Sequence, residues 1–130
     1  LVTGVQTCAL PILWTQQKPT NTAPQVEAFT SNLTHKVLKP GQAWEASIKA
    51  IDKEGDALRY EWRIDVDDIK RNAQNREIKP ATIEGCVTPP VADRVTGKAP
   101  SAKGSYRLFV FVRDGKGHVA TANIPFRVEP

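Results

Sequence analysis

The chain has 130 residues, enough for about one domain with one core, and 40% of them are apolar, which argues for a folded chain and against a disordered one. Ten prolines, eight glycines and no methionine favour many turns over long helices, and no apolar run approaches the roughly 20 residues that a membrane-spanning helix needs. The formal charge of +4 comes from Lys and Arg scattered among acids without a basic block, which reads as a solvated surface and not as a nucleic-acid footprint.

The first twelve residues, "LVTGVQTCALPI", carry no charge, while a quarter of the chain is Asp, Glu, Lys or Arg. The stretch lacks the basic start and unbroken apolar centre of a secretory signal. From the second codon on, its back-translation resembles an adapter oligonucleotide of short-read sequencing libraries. Leu1 to Ile12 is therefore expected to be a non-native, adapter-derived segment. Cys8 falls within it, which leaves Cys86 in "IEGCVTPP" without an intrachain partner and the redox compartment unread. A nucleophilic thiol needs a neighbouring base, and neither His35 nor His118 has an obvious orienting carboxylate in the sequence.

Residues 13–23 are polar and Pro-containing and read as a linker, with a domain expected over 24–130. A short strand is predicted over Gln25 to Phe29, and a turn at Lys39 to Gln42. Period-two alternation follows: Trp44, Ala46, Ile48 and Ala50 on one face, Glu45, Ser47 and Lys49 on the other. "DKEGD" interrupts it, and Leu58, Tyr60, Trp62 and Ile64 then alternate with Arg59, Glu61 and Arg63, so the two strands predict a hairpin. Residues 65–103 are the least legible, with short strands expected in "IKPATIEGCV" and "DRVTGKA" and a loop in "DDIKRNAQNRE". Beyond them Tyr106, Leu108, Val110 and Val112 alternate with Arg107, Phe109, Phe111 and Arg113. A hairpin turn at Asp114 to Gly117 leads to a last strand with Ala120, Ala122, Ile124, Phe126 and Val128 inward. Pro125 removes a ladder donor and places that strand at an edge or a bulge.

Short alternating strands separated by turns predict an all-β chain, an antiparallel immunoglobulin-like two-sheet sandwich. Trp62 sits centrally on the third strand, where such sandwiches hold a core Trp. Tyr106 precedes inward Leu108 by two residues, the spacing of a tyrosine corner, with Leu108 where antibody domains have a cysteine.

Acids cluster in two turns. A sandwich of this type brings Asn21, Asp52, Glu54, Asp56 and Asp114 to one pole, where side-chain oxygens and turn carbonyls could hold Ca²⁺. Lys53 and Glu54 depart from an all-Asp calcium loop, and solvated turn acids are the alternative. Asp65, Asp67 and Asp68 fall at the opposite pole, where a solvated loop flanked by Lys70 and Arg71 is expected over a second metal site. Apart from calcium no cofactor is implied. Glycoside cleavage needs two carboxylates across a sugar cleft, and a small sandwich offers none, so the chain is not expected to be an enzyme. Sugar-stacking rings would come from Trp14, Trp44, Phe109 or Phe111. Trp44 and Trp62 read as core and Trp14 as part of the linker. Phe109 and Phe111 face outward beside Arg107 and Arg113, with Arg59 and Arg63 able to stack over them from a neighbouring strand, a pattern of a covered docking surface before a glycan site.

"NTAPQV", "DKEGDALRYEW" and "GSYRLFVFVRDGKGHVATANIPFRV" resemble the polycystic-kidney-disease-type (PKD) and cadherin-like modules of extracellular bacterial proteins. More closely still they resemble the C-terminal immunoglobulin-like domain of some family 2 TIM-barrel glycoside hydrolases. The resemblance covers Asn21 to Arg63 and Gly104 to Val128. It implies a non-catalytic accessory domain of an exported enzyme, extracytoplasmic (periplasmic, cell-surface or secreted), whose partner is the upstream catalytic domain of the same polypeptide. The end at "FRVEP" is expected for a natural C-terminus. A carbohydrate-binding module with polysaccharide as partner, and a calcium-stabilised spacer or adhesion repeat, are the alternative roles.

Overall fold

The structure, a computed structural model, describes residues 2–5, 21–68 and 70–130. All regular elements among them are strands. In chain order these are β1 (Val2–Val5), β2 (Gln25–Ser31), β3 (Val37–Leu38), β4 (Ala43–Ile51), β5 (Arg59–Val66), β6 (Lys70–Arg71), β7 (Glu77–Ile78), β8 (Thr82–Ile83), β9 (Val87–Thr88), β10 (Arg94–Lys98), β11 (Gly104–Arg113) and β12 (Val119–Val128).

One sheet runs β1-β12-β11-β5-β8, with β3 added to the outer edge of β12. The other runs β2-β4-β10-β9, and β6 and β7 make a small separate ribbon. The inward faces of the two large sheets share one core, a β-sandwich. Trp44, Ala46 and Ile48 come from the four-stranded sheet. Trp62, Ile64, Tyr106, Leu108, Val110, Val112, Ala120, Ala122, Ile124, Phe126 and Val128 come from the six-stranded one. From Tyr106 to Val112 in β11, and from Ala120 to Val128 in β12, every second residue is buried, as the alternation requires. The Phe29 and Trp62 rings meet across the sheets at 5.9 Å, and the Tyr106 hydroxyl donates to Ala102 O at 2.8 Å.

Three expectations need correction. The turn after Ile51 does not close a hairpin: β4 pairs with β2 and β10, while β5 pairs with β11 and β8. Two strands facing one core show the same alternation whether they pair side by side or lie in opposite layers, so periodicity does not separate the cases. "DDIKRNAQNRE" is not a plain loop, because β6 and β7 pair within it, closed by Asn72, whose side chain accepts from the amides of Gln74 and Arg76. The sandwich is also not wholly antiparallel, since β3 pairs with β12 in parallel.

The illegible middle closes the sandwich. Val66 N donates to Ala81 O, Trp62 N to Pro90 O at 3.0 Å, and Ile48 N to Asp93 O. The Trp62 indole adds a bond to Ala92 O at 2.6 Å. The segment thus passes from the β5 edge of one sheet to the β9–β10 edge of the other. Pro125 sits where its missing donor costs nothing: β1 pairs with residues 120–123 on the outer edge of β12 and β3 with 127–128, and Pro125 lies in the gap.

Gly97 pairs with Trp44, and a Cβ there would lie 1.9 Å from Cys86 O and 2.5 Å from the Trp44 ring. Neither the backbone carbonyl, one residue before β9, nor a buried indole can retreat without moving its sheet. Gly97→Ala is expected to destabilise the chain by about 1–3 kcal/mol, read as a lower urea midpoint; an unchanged midpoint would show that the Trp44 side of the core is loosely packed.

Candidate metal centre

Two turns and the approach to β2 build one pole. Asp52 ends the β4 turn by accepting from the amides of Glu54 and Asp56 on Oδ1, at 2.9 and 3.1 Å, the local bonding that makes Asp a turn former. Gly55, at φ 78°, supplies the left-handed residue this turn requires. Asp114 starts the β11–β12 turn. Its Oδ1 accepts from Lys116 N at 2.6 Å and His118 N at 3.2 Å, and its Oδ2 meets His118 Nδ1 at 2.8 Å. Asn21 Nδ2 donates to Asp56 Oδ2. Residues 21–23, expected to end a linker, are therefore held at the pole, and Ala23 is buried.

One carboxylate oxygen each from Asp52, Asp56 and Asp114 lie within 4.8 Å of one another. That separation is reachable by ligands of one ion at a Ca–O distance of about 2.4 Å. At this pole Asn21 Oδ1 and Asp52 Oδ2 are shut off from solvent and have no hydrogen-bond partner. No ion pair among the described residues reaches Asp52 or Asp56. Glu54, expected in the same set, instead accepts from the Thr22 hydroxyl on both oxygens at 3.0 Å.

Burial pushes the Asp114 carboxyl up, but the Lys116 and His118 amides and the His118 imidazole outweigh it and hold it below the usual carboxylate range. The pairing with His118 answers to no pattern weighed in the sequence; the signal was Asp114-x-x-x-His118 spanning a turn with glycines at 115 and 117.

The acids of the opposite pole are spent singly. Asp65 is not in a solvated loop: it lies on β5, 5% exposed, and accepts from the Thr82 hydroxyl at 2.7 Å and Arg63 Nε at 3.1 Å. Asp67 pairs with Arg107, and only Asp68 is exposed and unassigned.

On the outer face of β11 the Phe109 and Phe111 rings stack at 6.1 Å. The Arg63 guanidinium lies over both, 5.7 and 4.8 Å from their centroids, and Arg113 lies 5.8 Å from Phe111. Arg113, and not Arg59, is the second cation; Arg59 stands opposite Arg113 in the ladder. Arg107 bonds Asn123 Oδ1 and Asp67. Trp44 and Trp62 are 2% and 3% exposed and belong to the core; Trp14 lies outside the described residues. Burial pushes the Cys86 thiol up, the reverse of what a nucleophile needs.

No protein-family model matches the chain, and no curated protein matches its sequence. Among solved structures it is similar to a DUF4784 family protein from Bacteroides caccae ATCC 43185 (TM-score 0.38, 10% identity, 78% of this chain) and spans only 24% of that chain. It is also similar to CopC from Methylosinus trichosporium OB3b (TM-score 0.38, 16% identity, 82% of this chain and 94% of that one). Likenesses of this degree fix neither the finer topology nor a ligand.

A carboxylate whose folded pKa is lowered stabilises the fold above its unfolded pKa of about 3.9 and loses that contribution as pH falls through the folded value. Acid unfolding of the chain and of Asp114→Asn, followed by circular dichroism, is expected to show a stability gap at neutral pH that closes below about pH 4. A gap that stays constant down to about pH 2 would mean that the charge on Asp114 contributes nothing.

Proposed function

We propose that this chain is a non-catalytic, immunoglobulin-like module of the PKD type that holds a calcium ion at the pole where the polypeptide enters, and that it serves as a stiffened accessory domain of an exported bacterial glycoside hydrolase. The observation that carries this reading is the meeting of Asp52, Asp56 and Asp114 with the two partnerless buried oxygens of Asn21 and Asp52. The donors are all hard oxygens, the set Ca²⁺ prefers and soft-metal sites lack. An ion would neutralise carboxylates that no Lys or Arg serves, and would tie the approach to β2 to both turns. The tyrosine-corner bond of Tyr106 and the core position of Trp62 support the immunoglobulin-like topology. Calcium supplies charge and cross-linking here and no bond-breaking step. An extracytoplasmic setting fits, because calcium modules outside cells work at about 10⁻⁴–10⁻³ M.

Binding that favours the folded state raises its stability by mass action, by about 2.7 kcal/mol at one hundred times the dissociation constant. Melting of the chain in millimolar calcium chloride against EDTA is expected to show a higher midpoint with calcium, and Asp52→Ala to abolish the difference. Equal midpoints for the parent chain would remove the calcium reading.

The outer face of β11 supports docking as its companion role. Phe109 and Phe111 present paired rings already roofed by Arg63, so their faces are not free for a sugar to stack upon. The partner proposed is the upstream catalytic domain of the same polypeptide, with polysaccharide binding the alternative outcome. Phe109→Asp is expected to cost the isolated chain no more than about 1–2 kcal/mol, and to split one shared melting transition of the parent protein into two. A single transition retained in the parent variant would place the docking surface elsewhere, and retention on a glycan array would move the role to carbohydrate binding.

A further inference from the structure

Of the three carboxylates at the pole, Asp114 is the one with no freedom. Its side chain is 0% exposed, and named donors fill three of the about four lone-pair sites of a carboxylate: Lys116 N and His118 N on Oδ1, and His118 Nδ1 on Oδ2. The remaining site is on Oδ2, beside the imidazole. Asp52 and Asp56, by contrast, are partly buried, with Asp52 bonded to the turn amides and Asp56 to Asn21. The two amides on Asp114 come with the hairpin turn whatever the side chains are. The imidazole bond does not.

We propose that His118 is a positioning residue for the cation site: it donates Nδ1–H to Asp114 Oδ2 and so fixes which lone pair Asp114 presents to the ion. The inference rests on the calcium reading above. A ligating carboxylate held by a second group loses less freedom when the ion binds, and removing such an outer partner costs metal affinity about 10–100-fold. The bond requires a proton on Nδ1 of the ring, which is 20% exposed.

The test is calorimetric titration of the whole chain with calcium chloride, beside the variants His118→Leu and His118→Asn. Asn carries its amide nitrogen near the place of Nδ1, and Leu fills a similar volume without a donor. His118→Leu is expected to bind calcium about tenfold or more weakly, and His118→Asn to recover to within about threefold. Calcium affinity unchanged in His118→Leu, or lowered equally in both variants, would overturn the proposal while leaving the calcium site standing. No binding by the parent chain would overturn the calcium reading, and this inference with it. A second measurement needs no variant: nitrogen-15 spectra of calcium-loaded chain at about pH 8, where an ordinary imidazole is neutral, are expected to show His118 as the Nδ1–H tautomer. The Nε2–H tautomer would overturn the proposal.

Discussion

The closure of the sandwich depends on Trp62. Its ring packs between the sheets against Phe29, while its backbone amide and its indole nitrogen both hold the segment that crosses from one sheet edge to the other, at Pro90 and Ala92. One residue thus joins the burial of a large aromatic surface to the ordering of a long Pro-rich connection. Without those bonds the segment would have to be ordered by its own short strands, β8 and β9, of two residues each, too little pairing to offset the entropy of fixing it.

The pole is organised by the opposite kind of force. Three carboxylates are drawn together there: Asp52 and Asp114 because their turns bond them, Asp56 because it follows Asp52 in the same turn and takes the Asn21 amide, and mutual repulsion is the by-product. Elsewhere several acids are matched locally: Asp65 has Arg63 and Thr82, Asp67 has Arg107, and Glu61 has Arg113. Among the described residues, the side-chain oxygens that stand buried without donors, Asn21 Oδ1 and Asp52 Oδ2, are both at the pole. The contrast lies in the partners: acids such as Asp65 and Asp67 meet arginines, whereas Asp52 and Asp56 meet only amide groups.

Legibility in the sequence followed the strength of the local signal. β11 and β12 were readable to the residue, because ten-residue strands with one face in the core repeat the period-two pattern often enough to fix it. The convergence of Asn21, Asp52, Asp56 and Asp114 followed from counting strands and placing alternate turns at one end. Pairing partners did not follow: β4 and β5 read as a hairpin, yet they lie in different layers, since alternation reports which side of a strand is wet and not which neighbour it bonds. The middle stayed dark because strands of two residues carry no period at all. His118 was missed for a similar reason. Its partner is four residues away, a spacing that brings side chains together in a helix, but here across a tight turn between two strands.

The break at Pro125 has a consequence for association between molecules. A β-strand lacking its amide in the middle of an outer edge cannot template an unbroken ladder, and here the two segments beside it run in opposite directions, β1 antiparallel and β3 parallel. Pro125 therefore interrupts any continuous ladder that a strand of another copy could form along this edge, one of the devices that keep exposed strands from stacking into fibrils.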